Sequence, residues 1–344
     1  MKLRKFIQGL LAIFLFLSHI TYANLPHIPV TFPRDNGAHH DNVPYPISNM
    51  TEWWYYNGQL TSSSGRHFGY SIGLINVILT IFNTKVLIPT LLIQLTDIDK
   101  NKVYGTSILY SGKPTDFSTK KLFISLGKND FVLEDKFDMH VINTHFKSKQ
   151  GPDIKLFLQM TPTGKELMES DDGVVPVGKN YNAYYYAFTR MITSGLLEID
   201  NEKILITDES NSWMEHVWGD FLLSSSFPWV SSTIRLDDGF DINLVNILDN
   251  KTKKPSKIYH ANIRMPDGSH VRINTDIKVI PYNETPYPQR YEILIPAANI
   301  QLNIQSLADA QDTNGWWEGI SKVEGTHNGV PIHGFTYMQI LSHN

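Results

Sequence analysis

The amino-acid sequence predicts an all-β protein made of two packed β-barrels, and three observations carry that expectation. Short runs rich in Ile, Val, Tyr, Phe and Thr recur about every 8–12 residues, the spacing of strands in barrels and sandwiches. Gly, Asn, Asp and Ser punctuate these runs, and long stretches of helical periodicity are few. The runs also outnumber what one small barrel holds, with no low-complexity tract or linker among them. Residues 24–220 and 221–344 are therefore expected to form two domains in contact.

Taken in order, the chain opens on Met1-Lys2-Leu3-Arg4-Lys5, continues as an apolar run over 6–20 and closes on Thr21-Tyr22-Ala23. Three positive charges, a short apolar core and a small terminal residue predict a signal peptide over 1–23, cleaved near Ala23, with an uncleaved anchor as the alternative. The mature chain is thus expected to be secreted or periplasmic. It has no cysteine, so no disulfide staples it, and 42% hydrophobic residues must supply the core. Of 30 Lys+Arg, three lie in the leader, which leaves 27 against 34 Asp+Glu and a net charge of −7. No basic cluster stands out, which argues against nucleic acid and against electrostatic docking on anionic lipid. The expected partner is a hydrophobic small molecule.

Strands are predicted over 52–60, 102–110, 154–160, 183–191, 195–208, 229–236 and 240–248, then over 257–265, 270–279, 291–296, 300–306, 316–325 and 332–341. Ser64-Gly65, Asp238-Gly239 and Asp267-Gly268 are hairpin-turn pairs. Residues 75–95 are unusually apolar and read as a strand, a hydrophobic excursion and a second strand; a pocket lip or membrane-touching loop is the sharper alternative. Residues 161–182, with four carboxylates and several Gly and Pro, read as a long surface loop.

Ser212-Trp213-Met214-Glu215-His216-Val217-Trp218-Gly219-Asp220 is the densest chemical signal. On a strand, Met214, His216, Trp218 and Asp220 share one face and Trp213, Glu215 and Val217 the other. An imidazole beside an indole and a carboxylate can move protons against an apolar ligand, or can be a satisfied core histidine. In Thr51-Glu52-Trp53-Trp54-Tyr55-Tyr56-Asn57-Gly58, alternation groups Glu52, Trp54 and Tyr56 against Trp53, Tyr55 and Asn57. Asn314-Gly315-Trp316-Trp317-Glu318-Gly319 is a third aromatic–carboxylate cluster. Three such clusters suggest aromatic walls meeting at a site or at the seam between barrels.

Gly69-Tyr70-Ser71-Ile72-Gly73 matches G-x-S-x-G, but the following Leu74-Ile75 continues as β-type sequence where a nucleophile elbow needs a helix. Metal signals are weak: His39-His40-Asp41 are adjacent, and His140 and His145 face opposite ways on a strand. No phosphate-binding or dinucleotide loop is present, so no cofactor is expected.

The motifs resemble those of the AttH/CrtC-like family, which includes carotenoid 1,2-hydratases (hydroxyneurosporene synthases) and many secreted hydrolases inferred from sequence. The family's E-W-W-Y-x-x-G-x-L is similar to Glu52-Trp53-Trp54-Tyr55-Tyr56-Asn57-Gly58-Gln59-Leu60, and its W-M-D-H-E-W-G to Trp213-Met214-Glu215-His216-Val217-Trp218-Gly219. A Tyr-rich strand ending in T-S-G matches Tyr184-Tyr185-Tyr186 with Thr193-Ser194-Gly195, and W-E-G with a G-x-P turn matches Trp317-Glu318-Gly319 with Gly329-Val330-Pro331. The resemblance implies two lipocalin-like (calycin-type) barrels, an isoprenoid, lipid or polyketide ligand, and no cofactor. It implies a hydratase chemistry in which an acid protonates an alkene, aromatic faces stabilise the cation and a base delivers water. His216, Glu215, Asp220 and Glu52 are the candidate acids and bases. Trp53, Trp54, Tyr56, Tyr186, Trp218, Trp316 and Trp317 are the candidate ligand-binding walls. A non-catalytic carrier serving an envelope transporter, with peripheral membrane contact, and a secreted glycan or ester hydrolase are the alternatives. The chain departs from the family at Leu74-Ile75-Asn76, where an Arg is usual, at Leu92, where a His is usual, and at Glu215 and Val217.

Overall fold

The computed structural model describes residues 27–41, 49–82, 84–177, 181–219, 229–248, 255–282, 289–309, 311–312 and 317–341. The leader over 1–23, Asp220 and Trp316 lie outside them. The fold is all-β: among the described residues the only helical segments are single 3₁₀ turns at Arg34–Asn36 and Pro296–Ala298. No described helix is long and apolar enough to cross a membrane.

The first sheet contains β1 (Met50–Thr61), β2 (His67–Ile81), β3 (Thr84–Asp97), β4 (Lys102–Leu109), β5 (Thr115–Phe117), β6 (Phe123–Leu126) and β7 (Phe131–Lys136). It continues with β8 (Met139–Lys147), β9 (Asp153–Pro162), β10 (Leu167–Met168), β11 (Val174–Val177), β12 (Tyr181–Ile199) and β13 (Glu202–Gly219). The second contains β14 (Trp229–Leu236), β15 (Asp241–Leu248), β16 (Pro255–Arg264), β17 (His270–Ile273), β18 (Lys278–Pro281), β19 (Arg290–Ile295), β20 (Ile300–Ser306), β21 (Trp317–His327) and β22 (Val330–Leu341). Their orders are β4-β3-β2-β1-β13-β12-β9-β8-β7-β6-β5, with β10 and β11 also on β12, and β17-β16-β15-β14-β22-β21-β20-β19-β18. Each sheet curls as a half-barrel around its own hydrophobic core, the lipocalin-like architecture.

Burial patterns explain the two kinds of strand. In β8 and β9 buried and exposed residues alternate, because one face meets the core and the other meets water. Most of β1 is buried on both faces, because one faces its own barrel and the other faces the second sheet. Contacts across that seam include Thr233 Oγ1 donating to Asn57 Oδ1 at 3.2 Å, Asn243 Nδ2 to Tyr185 Oη at 2.6 Å, and an ion pair between Arg190 and Asp241 at 2.8 Å. A Cβ on Gly69 would stand 2.5 Å from Tyr337 Oη and 2.6 Å from Ile320 Cγ2, so the first glycine of G-x-S-x-G permits close approach of the two sheets.

Several expected elements change. The strand predicted over 195–208 is two strands turning at Asp200, because β-type residues continue on both sides of the hairpin. Residues 270–279 divide into β17 and β18. The segment 161–182 is not only loop: β10 and β11 pair with β12 and bury Leu167 and Val174. Residues 75–95 form a long β2–β3 hairpin with Phe82 almost wholly exposed near its tip.

Candidate active site

Strand register places the first two aromatic clusters together. Glu52 pairs with Trp218, Trp54 with His216 and Tyr56 with Met214 across β1–β13, while Tyr184 pairs with Trp218 and Tyr186 with His216 across β12–β13. Directly opposed residues share a face, so all of them point into the first barrel, where Trp54, Tyr56, Tyr184, Tyr186 and Trp218 join one core cluster.

Glu52 is the hub. Its Oε1 lies 2.9 Å from His216 Nε2 and 2.7 Å from His39 Nδ1, and the His39 backbone N–H donates to Oε2 at 3.2 Å. Burial raises a carboxyl, but here the His39 charge and the hydrogen bonds from His216 and His39 outweigh it and bring Glu52 down to about 2. An ionised carboxylate only accepts, so both imidazole nitrogens that face it carry protons. Burial holds His216 below its usual value, so its ring is neutral, with Nε2 protonated and Nδ1 accepting from the Tyr186 hydroxyl at 3.2 Å. The line Glu52–His216–Tyr186 thus runs carboxylate, imidazole, hydroxyl, with the carboxylate fixing the tautomer.

His39 has the opposite charge state. Burial would lower it, but Glu52 and Asp35 together raise it. Its Nε2 stands 3.3 Å from Asp35 Oδ1, so an imidazolium donates to a carboxylate from each nitrogen. Asp35, also fully buried, is lowered by its bonds from His39, Arg34 and the Thr31 backbone against the upward pull of burial. Arg34 grips it at 2.8 and 2.7 Å. Charges alternate from Arg34 through Asp35 and His39 to Glu52, so the set is neutral and leaves no isolated charge in the core.

Aromatic faces enclose the network. The His39 ring stacks on Trp218 at 4.0 Å and 8°, and Trp54 stacks on His216 at 4.5 Å and 19°. Phe32 meets Tyr186 edge-on at 4.8 Å, so the segment before β1 both covers the barrel and supplies an acid. On the same inner face Tyr56 Oη lies 2.8 Å from His140 Nδ1, and burial with the nearby His216 pushes His140 down to about 4.

His39, Glu52 and His216 present donor atoms within 4.8 Å of one another, a set that could ligate a metal ion. The separations of 2.7 and 2.9 Å are hydrogen-bond lengths, and a divalent ion replacing the His39 proton would leave an uncompensated positive charge among groups that now cancel. The donor set fits a proton network better than a metal.

Other candidates lie elsewhere. Glu215 is on the outer face of β13, towards the second sheet, held by Trp213 Nε1 at 2.9 Å and by Tyr185. Trp53 shares that outer face and is half-buried. Trp317 belongs to the core of the second barrel, and Glu318 beside it accepts from Ser71 Oγ at 2.6 Å across the seam. Ser71 sits in mid-strand, paired on both sides, and is not a nucleophile elbow. His140 faces inward and His145 outward, where it meets Asp153 at 2.8 Å. Arg34 and Asp35 carried no signal of periodicity or motif, and His39 stood out only for its histidine neighbour.

A family model described as AttH-like matches residues 23–341, and the chain belongs to that family. No match was found among the curated proteins. A crystal structure provisionally described as AttH, from Nitrosomonas europaea, is similar with a TM-score of 0.74 and 21% identity, covering 94% of this chain and 100% of that one. Kievitone hydratase from Nectria haematococca is similar with a TM-score of 0.65 and 14% identity over 94% of this chain and 96% of its own. CghA follows with a TM-score of 0.53 and 11% identity over 93% of this chain and 96% of its own. These identities establish likeness of fold.

Proposed function

We propose that this AttH-like protein binds an apolar small molecule, an isoprenoid or lipid, inside its first barrel and acts on it as a hydratase-type lyase without a cofactor. The observation that carries the reading is the Glu52–His216–Tyr186 line, with its ordered tautomers and its aromatic enclosure. In the hydration direction the Tyr186 hydroxyl gives its proton to one alkene carbon, leaving a tyrosinate beside the neutral His216 ring. The π-faces of Trp54 and Trp218 stabilise the cation at the other carbon. Water adds there and loses a proton to His216 Nδ1, which passes it back to the Tyr186 oxygen, so one water is added and the protein is unchanged. Glu52 stabilises the transient imidazolium, as an orienting carboxylate does. The leader-like sequence over 1–23 supports the reading that the protein is exported.

Complete burial of His216, with both ring nitrogens engaged, favours a second reading: a carrier that holds the same class of ligand without turning it over. Native mass spectrometry of protein from its own cell envelope, then incubation of the extracted molecule in ¹⁸O-labelled water, separates the two. The lyase reading predicts a bound isoprenoid or lipid that exchanges label, and a loss of roughly 10²–10⁴-fold in His216→Ala. Binding without exchange leaves the carrier. An empty protein that ignores apolar probes contradicts both.

A further inference from the structure

Between Ile72 and Ile78 the inner face of β2 is apolar except at one place. Ile72, Leu74 and Ile78 all belong to the first core, and Asn76 stands in the same row, fully buried, directly opposite Glu52. Among the described residues its side chain has no hydrogen-bond partner at either Oδ1 or Nδ2. The indole Nε1 of Trp54, two residues beyond Glu52 on the same face, is buried and unpaired in the same way. Buried amides and indoles are almost always hydrogen-bonded, to protein, ordered water or ligand. Three unmet functions on one wall, next to a proton-transfer line, therefore call for a common partner.

We propose that Asn76 holds a hydroxylic oxygen, that of water or of a ligand alcohol, beside Glu52 and His216, with Trp54 Nε1 as a further donor. The amide selects this chemistry. Its Oδ1 needs a donor and its Nδ2 an acceptor, and a hydroxyl is both. A ketone or ether oxygen leaves Oδ1 unmet, and an ammonium leaves Nδ2 unmet. The inference rests on the lyase-or-carrier reading of the barrel, and it names the polar end of the ligand or the water that reacts with it. Asn76 is a positioning residue here.

The test is a crystal structure of the mature chain at a resolution that shows ordered water, alone and soaked with nerolidol, a tertiary terpene alcohol. An oxygen within hydrogen-bond distance of both Asn76 amide atoms supports the inference. Density continuous with the terpene identifies the ligand's hydroxyl, and isolated density identifies water. An amide bonded to a protein group instead overturns it. Tryptophan quenching adds a solution measurement: nerolidol should bind about tenfold tighter than β-farnesene, its dehydrated counterpart. Asn76→Leu should erase that preference. Equal affinities in the wild type, or a preference that survives Asn76→Leu, count against a ligand hydroxyl at Asn76. If neither terpene binds, the apolar-ligand reading fails while the oxygen at Asn76 is still decided by the wild-type density.

Discussion

Glu52 and Glu215 stand on neighbouring strands of one sheet and face opposite ways, and their carboxyls are shifted in opposite directions. Glu52, inside the barrel, touches one cation and one neutral imidazole and is brought down to about 2. Glu215, half-buried at the seam, meets only neutral donors; burial pushes it up to about 7 despite hydrogen bonds from Tyr185 and Trp213. Glu318, also at the seam, is raised by burial against its bonds from Ser71 and Gln339. Carboxyls on the two sides of this wall therefore do different work. The one inside orients a base as a carboxylate, and those between the barrels, which burial raises towards the protonated form, tie two sheets together.

The largest effect should come from breaking the inner set. Glu52→Gln leaves His39 charged in the core beside a neutral amide, and should cost about 3–5 kcal/mol of unfolding free energy by urea denaturation at pH 7. A cost below about 1 kcal/mol would show that the His39–Glu52 pair is not ionic.

The seam should announce itself through pH. A carboxyl raised in the folded state binds more protons there than in the unfolded chain, so its contribution is complete below the ordinary glutamate value of 4.5 and is lost as pH rises through about 7. At about 1.4 kcal/mol per pH unit, Glu215 accounts for at most about 3 kcal/mol over that window. Glu215→Gln should flatten this part of the stability curve. Glu52 works the other way: its contribution is present above 4.5 and disappears as pH falls towards about 2.

A smaller effect is expected at Asp35, which supports His39 from its far side. Asp35→Asn should lower the His39 pKa, read by NMR titration, and cost about 1.5–3 kcal/mol through its hydrogen bonds to charged groups. An unmoved His39 would mean that Glu52 alone keeps it charged. Glu318→Gln should be the mildest change, within about 1 kcal/mol, because the amide oxygen can still accept from Gln339 while its Nε2 donates to the Ser71 hydroxyl oxygen.

Much of the inner wall was readable from alternation alone. The parity of Glu52, Trp54 and Tyr56, and of Met214, His216 and Trp218, is what the register shows, because strands of period two bury alternate residues wherever a core lies on one side. That parity also separated Glu215 from His216, although their closeness in sequence had suggested a shared site. The other half of the network was hidden for a physical reason. Asp35 and His39 lie in an irregular segment, and His39 meets His216 across 177 positions through ring contacts that no local pattern encodes. The 3₁₀ turn at Arg34–Asn36 is tied by the Thr31 backbone N–H donating to Asp35 Oδ2 at 2.7 Å, a bond that no periodicity announces. The hairpin at Asp200 was missed because Leu, Ile and Thr flank it on both sides, so burial tendency continues where the backbone reverses.

The most direct measurement is the ¹⁵N–¹H NMR pattern of the histidine rings at pH 7, from protein labelled at ring nitrogen and assigned with His39→Gln and His216→Gln. An imidazolium at His39 and a neutral ring at His216 with its proton on Nε2 are the expected result. A neutral His39, or a His216 protonated on Nδ1, would contradict it.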